Sequence, residues 1–277
     1  MKGYYLMPHP PIMVHEVGNG REAEIQKTID SCRKIGREIE SSNADTIIII
    51  TPHGTVFRDA VSLIDIEYLQ GDFGRFGAEK VSFNMKINTE LTREIIRKAE
   101  QENISTIGLN HVNAQKYGIH LKLDHGAMVP LYNIDNVEKY KLVHITYGML
   151  SPMELYSFGM IIDKAVRELK VNAVLIASGD LSHRLTHEGT YPYSPHGAEF
   201  DNTLIDIINE GSISKIFSMD NTMIKEAGEC GLRSLYILCG TLDGKSVSSE
   251  VLSYEGPFGV GYGVAKFKAK DGKSINE

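Results

Sequence analysis

Four of the ten histidines in this 277-residue chain sit in backbone contexts suited to holding an imidazole in place. His9 lies in Met7-Pro8-His9-Pro10-Pro11, where the prolines keep the chain extended and remove amide donors. Taken alone it reads as an ordinary loop histidine, although a rigid loop is also a good mount for a ligand. His53 lies in Thr51-Pro52-His53-Gly54, and the glycine lets a ligand or metal approach closely. His125 follows Asp124, a carboxylate able to orient a ring, and precedes Gly126. His183 ends the turn-rich run Ser178-Gly179-Asp180-Leu181-Ser182-His183. A neutral imidazole can bind a metal, and near pH 7 it can also take up and release a proton. One carboxylate stands out beside these rings: Glu229, in Ala227-Gly228-Glu229-Cys230-Gly231. It reads either as an acid at a helix N-terminus or as a metal ligand. Cys230 beside it reads either as a soft-metal ligand or as a small buried residue.

The other histidines carry less. His144 falls inside a strand pattern, where a satisfied core or surface ring is the default. His15, His111, His120, His187 and His196 fall in polar or loop sequence, and Tyr191-Pro192-Tyr193 between the last two is placed to line a pocket mouth. Two rival signals fail. Gly259-Val260-Gly261-Tyr262-Gly263 has no following helix to supply phosphate-binding amides. Ser178 to Ser182 lacks the Gly-x-Ser-x-Gly elbow of a serine hydrolase.

The elements that position these residues follow from apolar periodicity. Ile25, Ile29, Cys32, Ile35 and Ile39 recur at helical spacing over 21–41. Thr46-Ile47-Ile48-Ile49-Ile50 and Ala173-Val174-Leu175-Ile176-Ala177 are short β-branched runs that suit strands buried on both faces. Further strands are predicted at 61–66, 81–87, 143–146 and 260–267. Helices are predicted at 89–101 (capped by Thr89), 153–170, 198–210 and 231–240. This alternation predicts a single α/β domain over 1–268, with a central mixed, largely parallel sheet flanked by helices and a polar tail at 269–277. In such sheets ligands gather beyond the carboxyl ends of strands. His53 and His183 follow two buried strands in that way.

Composition narrows the class. Apolar residues at 42% and charged residues at 23% match a soluble globular protein. The net charge of −7 argues against nucleic acid as a partner. Cys32, Cys230 and Cys239 form no disulfide framework, so a reducing cytoplasm is expected. No apolar run reaches membrane-spanning length, and no signal peptide is recognisable.

Taken together and in order, His9, His53, the segment Asp124-His125-Gly126-Ala127-Met128-Val129-Pro130-Leu131, the Ser178 to His183 run and Glu229 resemble the LigB family of class III extradiol dioxygenases. Within it, Glu229-Cys230-Gly231-Leu232-Arg233 is similar to the LigB-like domain of the AmmeMemoRadiSam system and its Memo-type relatives. The resemblance implies Fe(II), or alternatively zinc or another divalent metal, held by His9, His53 and Glu229. It implies His183 as proton acceptor and donor, and His125 as hydrogen-bond donor to substrate or oxygen. It implies ring opening of a catechol- or aminophenol-like molecule by O2, self-association, and AmmeMemoRadiSam-system protein partners including a radical-SAM protein. Two alternatives stay open: a Memo-like metal-binding or redox protein without ring cleavage, and a zinc hydrolase.

Overall fold

The computed structural model describes residues 1–271. The isoleucine run forms β2 (Thr46–Thr51), and the second buried run forms β8 (Ala173–Ser178). They lie side by side and parallel, and β8 is flanked on its other side by β1 (Gly3–Met7), also parallel. The remaining strands are β3 (Val61–Ile64), β4 (Tyr68–Phe73), β5 (Ala78–Lys86), β6 (Thr106–Leu109), β7 (Lys141–Thr146), β9 (Lys245–Glu255) and β10 (Tyr262–Asp271). Eight of them make one sheet in the order β6-β3-β7-β2-β8-β1-β10-β9, while β4 and β5 pair as a separate hairpin. The central pairs are parallel, whereas β3–β7, β1–β10 and β10–β9 are antiparallel.

The helices are α1 (His15–Gly18), α2 (Gln26–Ser41), α3 (Thr89–Gln101), α4 (His111–Tyr117), α5 (His125–Tyr132), α6 (Pro152–Glu168), α7 (Pro195–Asn209), α8 (Asn221–Ala227) and α9 (Leu232–Thr241). Because side chains alternate along a strand, the sheet has two cores. Ile48, Ile50, Leu175 and Ala177 pack with α3, α6, α7 and α9. Ile47, Ile49, Val174 and Ile176 pack with the apolar stripe of α2 and with α5. Thr51 and His144 continue the rows of Ile49 and Leu142, so both point to the α5 side.

Some bounds differ from expectation. Asn88, not Thr89, caps α3: its side-chain oxygen accepts the Leu91 N–H, and Thr89 is already the first helical residue. The last strand runs to Asp271, three residues past the expected domain limit at 268, because β9 offers a partner along its whole length. The rest of the expected tail, 272–277, lies outside the described residues. Among the described residues no helix is long and apolar enough to cross a membrane.

Candidate metal centre

Since β1, β8 and β2 are adjacent and parallel, their carboxyl ends open on one edge of the sheet, and there the chain delivers His9, Ser178 to His183, and His53. The start of α5 covers the same edge and adds His125 as its first residue. Ligand atoms of His9, His53 and His125 all lie within 4.8 Å of one another. His9 is buried, His125 half-buried and His53 exposed, so the cluster meets solvent at His53. The His9 and His53 Nε2 atoms are 3.0 Å apart. The His53 and His125 rings stack with centroids 4.1 Å apart.

Protons are arranged to leave a lone pair on His9. Pro130 has no N–H, so the Gly126 carbonyl one turn earlier lacks its helical donor. The Ser178 hydroxyl donates to that carbonyl instead. Ser178 Oγ, 2.8 Å from His9 Nδ1, must then accept from it. The His9 proton is therefore on Nδ1, and Nε2 turns an open lone pair toward His53. This arrangement orients a ligand through its second nitrogen. Ser178→Ala would strip a buried N–H of its acceptor, and we expect metal affinity to fall by about 10–100-fold with the fold retained. Metal titration alongside circular dichroism checks this.

The imidazoles are held neutral. Burial, reinforced by neighbouring His53, puts His9 well below its usual value. Burial and the adjacent His53 and His9 bring His125 down to about 3. Burial also lowers His53 and His183. Neutral rings converging on one point are the state a divalent cation needs. Two nitrogens each about 2.1 Å from one ion, at right angles, stand about 3.0 Å apart, whereas tetrahedral ligands stand about 3.4 Å apart. At 3.0 Å apart, the His9 and His53 Nε2 atoms are close enough to share one ion.

Glu229, the expected carboxylate ligand, is engaged at the start of α9, where its Oε2 accepts the Leu232 N–H at 2.6 Å. It is not part of the set that converges within 4.8 Å. Burial raises its pKa. The buried acid facing the histidines is Asp180. Its Oδ1 accepts the His9 N–H at 2.9 Å, and its Oδ2 lies 3.9 Å from His9 Nε2. Burial pushes it up to about 6. Cys230 Sγ lies 3.6 Å from His9 Nε2, with burial holding its thiol well above the ordinary value. His183 reaches the same region from the β8 loop. It is fixed by a backbone bond to the Ala227 carbonyl and meets Tyr191 edge to face at 5.3 Å. The expected mouth-lining tyrosine thus borders His183. In the sequence, only a position at a strand end signals a role for Ser178 and Asp180.

The backbone behind His183 is tied down by Asp201, which is fully buried and accepts the Ser182 N–H at 2.7 Å and the Tyr254 hydroxyl at 2.7 Å. Burial raises its pKa to about 7. An acid raised from 3.8 to about 7 on folding is increasingly unfavourable as pH climbs through that window. Asp201→Asn removes this titration. Its melting temperature relative to the native chain should rise from pH 5 to pH 7 and level off above, which melts at pH 5, 6, 7 and 8 would show.

A cavity of about 400 Å³ opens beside His53 and His125. Ile64, Leu109 and Met128 give it apolar walls, and Arg75, His120 and Lys122 stand at its edge. Its size suits a single-ring molecule.

Fold and site together define an α/β protein of the LigB type with a candidate three-histidine metal site. A family model described as the catalytic LigB subunit of aromatic ring-opening dioxygenase matches residues 3–265, and the chain belongs to that family. It is 49% identical over 270 residues to Protein CA_C1420 of Clostridium acetobutylicum, covering 97% of this chain but 58% of that relative's length. It is 23% identical over 219 residues to a 3,4-dihydroxyphenylacetate 2,3-dioxygenase of Escherichia coli, covering 76% of this chain and 78% of the enzyme. An uncharacterized protein of E. coli K12, JW3007, shares the fold with a TM-score of 0.64 at 13% identity, over 96% of this chain and 99% of that one.

Proposed function

We propose that this chain is a non-haem Fe(II)-dependent oxidoreductase of the extradiol dioxygenase type, acting on a small aromatic diol or aminophenol with O2. The observation that carries the reading is the 3.0 Å approach of the His9 and His53 Nε2 atoms with His125 beside them. His9, His53 and His125 would hold the ion. Glu229 would have to leave the Leu232 amide to join them. When bound, the ion supplies open positions at which substrate and dioxygen meet and exchange electrons.

The rest falls to the chain. The cavity beside His53 and His125 receives the ring and shields one face of it from water. His183, neutral at pH 7 because burial lowers its pKa, accepts a proton from a ring hydroxyl and can return it later. Asp180 holds the His9 backbone N–H, and Ser178 holds the His9 ring. Anaerobic reconstitution with Fe(II), followed by exposure to a panel of catechols and aminophenols, tests the proposal. Ring-opened products support it. Stoichiometric iron binding with no turnover on any of them counts against ring cleavage.

Cys230 favours a second reading. A thiol 3.6 Å from His9 Nε2 suits a Memo-like metal-binding or redox protein, with AmmeMemoRadiSam-system partners and no ring cleavage. Under this reading Cys230→Ser loses the metal while Glu229→Ala keeps it.

A further inference from the structure

We propose that His144 is a positioning residue for the metal centre, acting through Asp124 to lock the end of β2 against the start of α5. The inference rests on the metal site proposed above and concerns how it is held rather than what it does.

His144 is 2% exposed and projects from β7 toward α5. Its Nε2 lies 2.8 Å from Asp124 Oδ2. A carboxylate oxygen accepts, so the bond is donated by the His144 Nε2–H. The other oxygen, Oδ1, accepts the Thr51 hydroxyl at 2.6 Å and the Ala127 N–H at 3.1 Å. Thr51 Oγ1 in turn accepts the His53 N–H at 3.2 Å. An unbroken series thus runs from His53 through Thr51 to Asp124, whose chain neighbour is His125.

A helix cap needs only the bond from Ala127 to Oδ1. A buried imidazole from a third element, β7, adds nothing to capping, but it stops the carboxylate from turning. His144 Nδ1 has no partner, so Asp124 is the ring's sole hydrogen-bond anchor among the described residues. Gly126 presses α5 onto β2, since a Cβ there would collide with Thr51 Oγ1 and stand 3.2 Å from His53 Cδ2. With so little slack, rotation of Asp124 would shift His53 and His125 relative to each other.

Metal-free native chain and its variants would be titrated with Co(II), followed by visible absorbance and by competition with a chelator. His144→Leu keeps the bulk and removes the donor. We expect its Co(II) affinity to fall about 10–100-fold, with a displaced absorption band and a native circular dichroism spectrum. His144→Gln can still donate, and should bind within about threefold of the native chain. Equal binding by His144→Leu and the native chain, or equal loss in His144→Leu and His144→Gln, overturns the proposal. Should His144→Leu fail to fold, Thr51→Val and Thr51→Ser decide. Loss in Val alone supports the lock, and native binding by both overturns it. A native chain that binds no Co(II) sinks the metal site and this inference with it. Native binding with unaffected variants sinks this inference alone.

Discussion

His53→Ala is expected to lose more than about 100-fold in affinity for a divalent ion while its metal-free melting temperature stays close to that of the native chain. Even residues that only orient a ligand cost 10–100-fold when removed, and His53 supplies one of the three convergent nitrogens. It is also exposed, with its ring stacked on His125 rather than packed in the core, so truncation leaves no cavity. His9→Ala is the instructive contrast. His9 is 1% exposed and bonded to Ser178, so its removal should weaken metal binding and stability together. Isothermal titration with paired thermal melts separates the two cases. Near-native affinity in His53→Ala would disprove the centre.

Gly240→Ala should be the most damaging single methyl addition at a helix contact. The helices α6 and α9 touch where Gly159 faces Gly240. A Cβ on Gly240 would run into the Tyr156 carbonyl oxygen, with the Tyr156 carbon at 2.7 Å and Gly159 Cα at 2.9 Å. These are backbone atoms of a rigid helix, so nothing can turn aside and the helices must separate. Overpacking of this kind costs about 3 kcal/mol, or roughly 5 °C in melting temperature at this size. Gly108→Ala is the control. Its Cβ meets only the flexible tip of Ile96, at 2.9 Å, and should cost under about 1 kcal/mol. Equal melting temperatures for the two variants would refute the steric account.

What could be read beforehand had a local signature. Ile47 to Ile50 and Ala173 to Ala177 are too uniformly apolar for a half-exposed strand, so a buried parallel centre followed, and with it the strand-end placement of His53 and His183. Where the signal depends on distant partners, reading fails. The strand Gly3–Met7 is short and carries no alternation, and it is defined by β8 and β10 on either side. The helix α5 is buried from Gly126 to Leu131, so it shows no polar face, and Pro130 argues against a helix. His144 looked like an ordinary strand residue because Asp124 lies twenty positions earlier and meets it only across the fold. The glycine flanks of Glu229 suit a metal ligand and an acid bonded to the first turn of α9 equally, and here Glu229 makes that bond. Nothing in the flanks of His125 tells that its ring will meet those of His9 and His53.

The place of β1 in the sheet has a consequence for biosynthesis. Tyr4 aligns with Leu175 on one side and with Phe267 on the other. A nascent chain therefore carries His9 out of the ribosome long before either neighbouring strand exists, and closing so wide a loop is slow. The histidine cluster can therefore take its final form only after β8, with Ser178, has been made. A chain ending before Ser178 would lack the hydroxyl that accepts from His9 Nδ1 and turns its other lone pair toward His53.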